Sequence, residues 1–290
     1  MKHLYQLKNE YFEIKIPDEL ETVVKNTILK AEKKMIRNKK FFTFATAAAA
    51  IVLVFIGTVN VSPAAAKAMS NIPVIKNLVK VVTFREYSYI DDKHELDIKV
   101  PKIDGLENKE LENALNANYL EKNAALYDDF MKKIGAKGEL NEQYFAIYTD
   151  YNIKTDTDKL LVVENIKDEI MASGYQTVQY DTIDRINELV LTLPSLFKDN
   201  SYVDIISNNI KAQMEEQMKT DQDVAYFLGK EEINGFESIQ ENQNFYINAE
   251  GKLVISFNEY EVAPGSMGLV EFVIPTEVIK DLLVSDYYIN

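Results

Sequence analysis

The sequence predicts an α+β protein in which one transmembrane helix is joined to an extracellular domain of mixed α/β structure. Three observations support this prediction. No residue between Lys40 and Lys67 carries a charge. After this run, segments with helical periodicity and segments with strand alternation follow each other along the chain. A strand–helix–strands order occurs twice, which predicts two small subdomains, each an antiparallel sheet with a helix, at 85–172 and 173–290.

The uncharged run has the length of a membrane span. Its apolar core, 41–61, would reach about 31 Å as a helix, which matches the hydrocarbon thickness of a bilayer. A buried core helix normally shows a polar stripe, and a cleaved signal peptide normally starts close to Met1; this segment does neither. Basic residues crowd 33–40, so the positive-inside rule places the N-terminus in the cytoplasm. We therefore expect a single-pass protein of the cell membrane whose C-terminal domain is extracellular.

Charge differs between the two sides of this span. Residues 1–40 contain ten Lys and Arg and six Asp and Glu; subtracting these from 32 and 46 for the whole chain leaves 22 basic and 40 acidic residues after the span. A net charge of −18 disfavours nucleic acid and favours a basic partner. Acidic surfaces also serve solubility alone, so charge only ranks the partners.

The cytoplasmic segment, 1–40, is too short to bury a core of its own. A weakly alternating start ends at Pro17, and Asp18 is suited to cap a helix. Apolar residues then recur at helical spacing among lysines. This face predicts a protein partner, with the membrane surface as the alternative for a basic amphipathic helix. The residues expected to bind the partner are Leu20, Val23, Val24, Ile28 and Ala31.

The juxtamembrane segment, 62–84, begins with small residues at alternating positions. Signal peptidase cuts after such an A-x-A pattern when it follows an apolar stretch, and two frames fit. An ordinary small-residue linker is the alternative. Residues 69–82 form a short amphipathic pattern that we expect to dock on the outer domain. The candidate cleavage residues are Ala64, Ala66 and Ala68.

The C-terminal region predicts its elements in a defined order. Residues 96–100 alternate as a strand that Pro101 ends, and Asn108 begins a helix that Gly135 closes. The further expected elements are strands at 144–153, 160–170 and 178–193, a helix at 202–220, a hairpin of 245–248 and 253–257, a strand at 269–274, and a short helix capped by Thr276 that runs to Leu283.

The residue inventory gives no support for catalysis. The chain contains no cysteine, and its only histidines are His3 and His94, so neither a zinc cluster nor a Cys–His nucleophile pair can be built. No glycine-rich phosphate loop and no known catalytic motif occurs. Adjacent acids such as Asp91 and Asp92 are typical of a solvated face. We expect no enzyme, no cofactor and no metal.

Seventeen tyrosines occur without any tryptophan. Core packing is the usual role of each, but tyrosines in loops also form binding surfaces. Tyr175, Tyr180, Tyr260 and the nearby loop at 264–268 are candidates for such a surface.

The order of these parts resembles the family of anti-sigma-V factors, lysozyme-sensing inhibitors of a sigma factor. The Cys/His zinc motif of many other anti-sigma factors is absent. The resemblance covers the basic N-terminal helix, the span, PAAAKAMSNIPVIKNLVKVVTFREYSY at 63–89, the hairpin and loop NFYINAEGKLVISFNEYEVAPGSMG at 244–268, and the ending LVEFVIPTEVIKDLL.

The resemblance implies a mechanism that the residues alone do not give. The N-terminal segment would silence an extracytoplasmic-function sigma factor, and lysozyme would bind the outer domain, within 173–290. Signal peptidase and then an intramembrane protease would release the sigma factor. A membrane-anchored module that binds cell-wall glycan is the alternative from another functional class. The expected ligand-binding residues are Ser173, Gly174, Tyr175, Tyr260, Pro264, Gly265, Ser266 and Met267.

Overall fold

The computed structural model describes residues 79–229 and 235–290. The predicted span, cytoplasmic segment and cleavage site lie outside these residues; inside them, no helix is long and apolar enough to cross a membrane. The strands are β1 (Lys80–Ile90), β2 (His94–Asp104), β3 (Phe145–Asp156), β4 (Leu160–Ile170), β5 (Gly174–Asp184), β6 (Leu189–Leu191), β7 (Phe245–Ile247), β8 (Leu253–Phe257) and β9 (Val270–Ile274). The helices are α1 (Lys109–Ile134), α2 (Ser201–Thr220) and α3 (Thr276–Ile279), with 3-10 turns at Leu193–Leu196 and Gly265–Met267.

Strands β1 to β6 form one sheet in chain order. Neighbouring strands are antiparallel except β2 and β3, which pair in parallel, 94–98 against 145–149. Parallel neighbours need a long crossover connection, and α1 provides it. The prediction of purely antiparallel sheets is therefore wrong for this pair. The boundary expected between the two subdomains at 172–173 falls inside this sheet, because β4 and β5 form a hairpin there. The boundary expected at 84–85, before the first subdomain, falls inside β1.

Helix α1 begins at the predicted position. Asn108 Oδ1 accepts a hydrogen bond from Leu111 N at 3.1 Å, which caps the helix. Asn116 bonds both backbone polar atoms of Ile103 in β2, each at 2.7 Å. Burying one large apolar side chain stabilises a fold by about 1.5–3 kcal/mol, so the apolar stripe of α1 holds it to the sheet. The buried members of the stripe are Leu111, Leu115, Tyr119, Phe130 and Ile134.

A second, antiparallel sheet consists of β7, β8 and β9. Helix α2 packs against it and shares one hydrophobic core with its strands. The face of α2 in this core is fully buried and comprises Tyr202, Ile206, Ile210 and Met214. The predicted helix at 202–220 and the predicted β7–β8 hairpin are both confirmed.

The two sheets meet along the edge of β5. Strand β6 covers only the last three residues of β5, so none of the described strands pairs with the rest of this edge. Side chains take that place: Asn258 Oδ1 accepts from Val178 N at 2.9 Å. Asn244 donates to Val178 O at 2.9 Å and accepts from Tyr180 N at 3.2 Å. Backbone groups shielded from water need partners, so these bonds fix the second sheet against the first.

A polar cluster also joins the two sheets. Glu271 of β9 accepts hydrogen bonds from Lys154 Nζ at 3.0 Å, Tyr180 Oη at 2.8 Å and Tyr246 Oη at 3.0 Å. Tyr180 Oη also lies 3.0 Å from Glu164 Oε1, so its single proton is shared between two carboxylates. Burial, reinforced by the Glu271 carboxylate, raises the pKa of Tyr180, which therefore stays a neutral donor. We call these five residues the joint cluster.

His94 is buried at the start of β2. Its Nδ1 lies 2.9 Å from Asp91 Oδ2, and its Nε2 lies 2.9 Å from Leu140 O. A carbonyl oxygen only accepts, so Nε2 carries a proton. The Asp91 carboxylate favours a second proton on Nδ1 and raises the pKa of His94. These two contacts tie the β1–β2 turn to the loop before β3, and the raised pKa widens the pH range in which the ring is charged.

Two predicted element ends are wrong. Pro101 does not end a strand but lies inside β2, opposite Thr83 and beside a register shift in β1. Within 79–229 and 235–290, no strand flanks Pro101 on its other side, so the ladder tolerates its missing N–H. Helix α3 ends at Ile279 rather than Leu283, and Thr276 is its first residue rather than its N-cap. The Thr276 hydroxyl instead donates to Asn290 O at 2.9 Å.

The single strand expected at 178–193 is also wrong, because a turn divides it into β5 and β6. Asp184 ends β5: its Oδ1 accepts from Ile186 N at 2.7 Å and from Asn187 N at 2.9 Å. An aspartate that bonds the backbone two and three residues ahead bends the chain into a turn. The apolar residues on either side of this turn conceal it in the sequence.

Candidate functional site

A cleft of about 460 Å³ opens beside the free edge of β5. The start of β5, the loop before β7 and the loop after β8 all contribute to it. Its lining combines two tyrosines, five side-chain amides and two glutamates, and we call it the tyrosine cleft. The lining residues are Tyr175, Gln240, Asn242, Gln243, Asn244, Asn258, Glu259, Tyr260 and Glu261.

Two tyrosine rings form one wall of the tyrosine cleft. The ring centroids of Tyr175 and Tyr260 lie 6.3 Å apart, and these residues are 42% and 46% exposed. Tyr260 has a φ of +64°, a left-handed conformation that costs a residue with a side chain about 1–3 kcal/mol. A Cβ atom at Gly265 would lie 2.2 Å from the ring carbon Cζ of Tyr260. Any residue with a Cβ at 265 would therefore displace this ring from its present position.

Both glutamates of the cleft are held by hydrogen bonds. Glu259 Oε2 accepts from Gln176 N at 2.8 Å, and Glu259 N donates to Gln176 O at 3.2 Å. Glu261 accepts from Gln243 Nε2 at 3.1 Å and from Asn258 N at 2.8 Å. Among the described residues, no lysine or arginine lines the cleft. Carboxylates beside aromatic faces suit a guanidinium or ammonium group.

The structure brings the predicted ligand-binding loops together. Ser173 and Gly174 are exposed at the β4–β5 hairpin, next to the first tyrosine of the cleft. Pro264 and Gly265 lie in the loop that supports Tyr260 and do not line the cleft themselves. In the same loop, Ser266 is exposed and Met267 packs against the hydrophobic core. Tyr180 is 8% exposed, so this candidate has the core position that is usual for a tyrosine.

Sequence reasoning missed the amide and carboxylate lining. The runs Asn-Gln-Asn at 242–244 and Asn-Glu-Tyr-Glu at 258–261 flank the hairpin strands β7 and β8. Polar runs between strands are typical of any loop, so the pattern alone does not mark these as special. The bonds from Asn244, Asn258 and Glu259 to β5 bring both runs to one place.

The remaining candidate residues fall outside the described part of the chain. Within 79–229 and 235–290, no group of three or more His, Asp or Glu could hold a metal ion. The candidates outside these ranges are the partner-binding residues Leu20, Val23, Val24, Ile28 and Ala31 and the cleavage residues Ala64, Ala66 and Ala68.

The whole chain is similar to a characterised bacterial regulator. It is 44% identical over 290 residues to the anti-sigma-V factor RsiV of Bacillus subtilis strain 168, with 100% of this chain and 99% of that protein covered. The chain belongs to the anti-sigma-V factor (RsiV) family. The resemblance drawn from the sequence is thus confirmed.

The fold of this RsiV-family chain is shared more widely. Residues 194–277 match a family described as a protein of unknown function, DUF3298, and this range holds α2, β7 to β9 and most of the tyrosine cleft. A DUF3298 structure from Bacteroides fragilis NCTC 9343 aligns with a TM-score of 0.54 at 17% identity, covering 72% of this chain and 95% of that one. Another from Pseudomonas aeruginosa PAO1 aligns with a TM-score of 0.50 at 14% identity, covering 72% and 94%. At these identities the likeness concerns the fold alone.

Proposed function

We propose that this RsiV-family chain is a membrane-anchored anti-sigma factor and a receptor for lysozyme. Residues 1–40 sequester an extracytoplasmic-function sigma factor in the cytoplasm, and residues 41–61 span the cell membrane. The acidic C-terminal region lies outside the cell and binds the ligand. Its role is regulatory rather than catalytic. Family membership supports the sigma-factor half of this proposal.

The tyrosine cleft is the observation that carries the receptor half. It places Tyr175 and Tyr260 beside Glu259 and Glu261, with no cationic side chain in its described lining. Lysozymes are typically basic, and their arginines and lysines suit carboxylates and tyrosine faces. The acidic region would also speed the encounter with a basic protein through long-range attraction.

Regulated proteolysis links the two halves. Signal peptidase cuts in the stretch that holds Ala64, Ala66 and Ala68, and an intramembrane protease then completes release of the sigma factor. A site that is always open would be cut without any signal, so the unliganded protein must withhold it. Residues 69–82 are the nearest means of doing so. Ligand binding releases the site only if the ligand binds the released state more tightly than the withheld state.

Binding of lysozyme to the full-length chain in lipid nanodiscs tests the receptor half. We expect saturable binding by surface plasmon resonance, with association that slows as salt rises, because screening weakens the steering. Tyr260→Ala removes one wall of the cleft and is expected to weaken binding. Lack of wild-type binding at micromolar lysozyme would refute the receptor half.

The sigma-factor half has a separate test. Burying each of Leu20, Val24 and Ile28 against a partner stabilises the complex by about 1.5–3 kcal/mol. Replacing all three with Asp is therefore expected to free the sigma factor and switch on its genes without ligand. Lys25→Asp, on the polar face of the predicted helix, is the matched control. Full co-purification of the sigma factor with the triple variant would contradict this half.

A cell-wall glycan is a second candidate ligand for the tyrosine cleft. A tyrosine wall and five side-chain amides are groups that can stack on sugar rings and bond their hydroxyls. Soluble peptidoglycan fragments, titrated against the same nanodiscs, test this candidate. Saturable binding of fragments by a chain that does not bind lysozyme would favour it.

A further inference from the structure

Four large, exposed side chains mark one end of the six-stranded sheet. They are 75%, 49%, 48% and 42% exposed, and we call them the sheet-end rim: Ile90, Tyr144, Met171 and Tyr175. The strand register places them at the same end, since each lies at or next to a terminal residue pair. These pairs are Ile90 with Glu95, His94 with Phe145, Ala146 with Ile170, and Ile170 with Gly174.

The sheet-end rim spans five strands of the sheet. Neighbouring strands lie about 4.8 Å apart, so the four spacings from β1 to β5 extend over about 19 Å. The ring centroid of Tyr260 lies 6.3 Å from that of Tyr175, so the rim is in contact with the cleft. A row of this length exceeds the reach of a single cationic side chain and fits a folded protein, whose standard interface covers about 800 Å² on each partner.

The segments that carry the rim are acidic. Four segments surround it, 90–93, 139–144, 168–175 and 258–261, and they contain one lysine. That lysine, Lys93, donates to Glu142 at 2.5 Å, so its charge is already matched. The acidic residues of these segments are Asp91, Asp92, Glu139, Glu142, Asp168, Glu169, Glu259 and Glu261. A partner that covers the rim therefore gains from a positive surface.

The backbone that carries the rim is held in place by hydrogen bonds. Asp91 Oδ1 accepts from the backbone N–H groups of Lys93 and His94, each at 2.8 Å, which fixes the β1–β2 turn. Phe145 N donates to Lys93 O at 3.0 Å, and Met171 N donates to Ser173 O at 3.2 Å. A preordered surface loses less conformational entropy on binding, so exposed apolar side chains on these turns are suited to contact a partner.

We propose that the sheet-end rim and the tyrosine cleft form one docking surface for a basic, folded protein. The inference rests on the proposed function and identifies this protein with its lysozyme ligand. Ile90 and Tyr144, at the far end from the cleft, contribute apolar contact, while the acidic residues of the four segments attract the approaching basic protein. The receptor surface thus extends from the tyrosine cleft past the β4–β5 hairpin to the β1–β2 turn.

Binding of hen egg-white lysozyme to the full-length chain in nanodiscs tests the extended surface. We expect Ile90→Ser and Tyr144→Ser each to raise Kd about three- to tenfold, mainly through faster dissociation, because each truncates a contact. Asp92→Lys is expected to slow association at low salt, since it reverses a steering charge. The matched control is Val284→Ser, which is 43% exposed and lies outside the four segments that surround the rim.

The outcomes separate this inference from the proposed function. Weaker binding by Ile90→Ser and Tyr144→Ser, with an unchanged Val284→Ser control, supports the extended surface. Wild-type affinity in both rim variants, alongside weakened binding by Tyr260→Ala, overturns the extension and leaves the receptor proposal standing. Absence of wild-type binding overturns the receptor proposal and the extension with it.

Discussion

Removing the Glu271 carboxylate is expected to loosen the contact between the two sheets. Glu271→Ala leaves Lys154, Tyr180 and Tyr246 without their shared acceptor. Hydrogen bonds to a charged group are worth about 1.5–3 kcal/mol, whereas an exposed ion pair is worth about 0–1 kcal/mol. The Glu271 side chain is 31% exposed, so the lower values apply. Tyr180 and Lys154 retain Glu164 as a partner. The full value is therefore lost only for the Tyr246 bond, and the expected loss in the free energy of unfolding is about 2 kcal/mol.

Urea unfolding of residues 67–290, followed by circular dichroism at the helix band, measures this loss. Glu277→Ala, an exposed glutamate of α3, is the matched control. Because Tyr180 and Glu271 act on each other directly, a double-mutant cycle with Tyr180→Phe is expected to be non-additive. A loss no larger than that of the control, or strict additivity in the cycle, would refute the assigned role of the joint cluster.

Three further predictions concern the pH dependence, the cleft and the cleavage site. Because the pKa of His94 is raised in the folded protein, its charge stabilises the fold fully below about pH 6.5, and this contribution is lost as pH rises through the folded pKa. His94→Gln should therefore make the free energy of unfolding less dependent on pH over that range. Gly265→Ala should displace the neighbouring tyrosine ring and weaken ligand binding, while Gly135→Ala, where a Cβ makes only ordinary contacts at 3.5 Å, should leave affinity unchanged. Ala66→Trp should block ligand-dependent cleavage in both frames, and Ala68→Trp in one frame only. Immunoblots of cells treated with lysozyme would show whether each variant is still converted to the shortened product.

Elements governed by local rules were predictable. Helix α1 was found from its apolar spacing and from Asn108, which caps it, and the β7–β8 hairpin from its alternation and turn. The parallel pairing of β2 with β3 was not predictable, because it depends on contacts across some fifty positions that no local pattern encodes. The strand end predicted at Pro101 was wrong for a related reason. A proline ends a strand only where the ladder needs its N–H, and no described strand pairs with Pro101 on the β3 side of β2.

The candidate site likewise has parts that the sequence predicts and parts that it does not. Tyr260 was identifiable because an aromatic residue in a loop is unusual, and Tyr175 because it directly follows the Ser173-Gly174 turn. The role of Gly265 was not identifiable from the sequence, because it depends on the Tyr260 ring, which lies against this glycine only in the folded protein. The amides at 242–244 looked like ordinary loop residues, because their partners are backbone atoms of β5 in the other sheet.

The asparagines along β5 also explain why the protein has a cleft at this place. Asn244 both donates and accepts, so aspartate could not replace it without losing the bond to Val178 O. A side chain of this size closes the ladder while occupying far less room than a neighbouring strand would. The tyrosine cleft occupies the space that such a strand would have taken. The cleft therefore exists because the described sheet stops there, and any insertion that extended the sheet at this edge would fill the cleft.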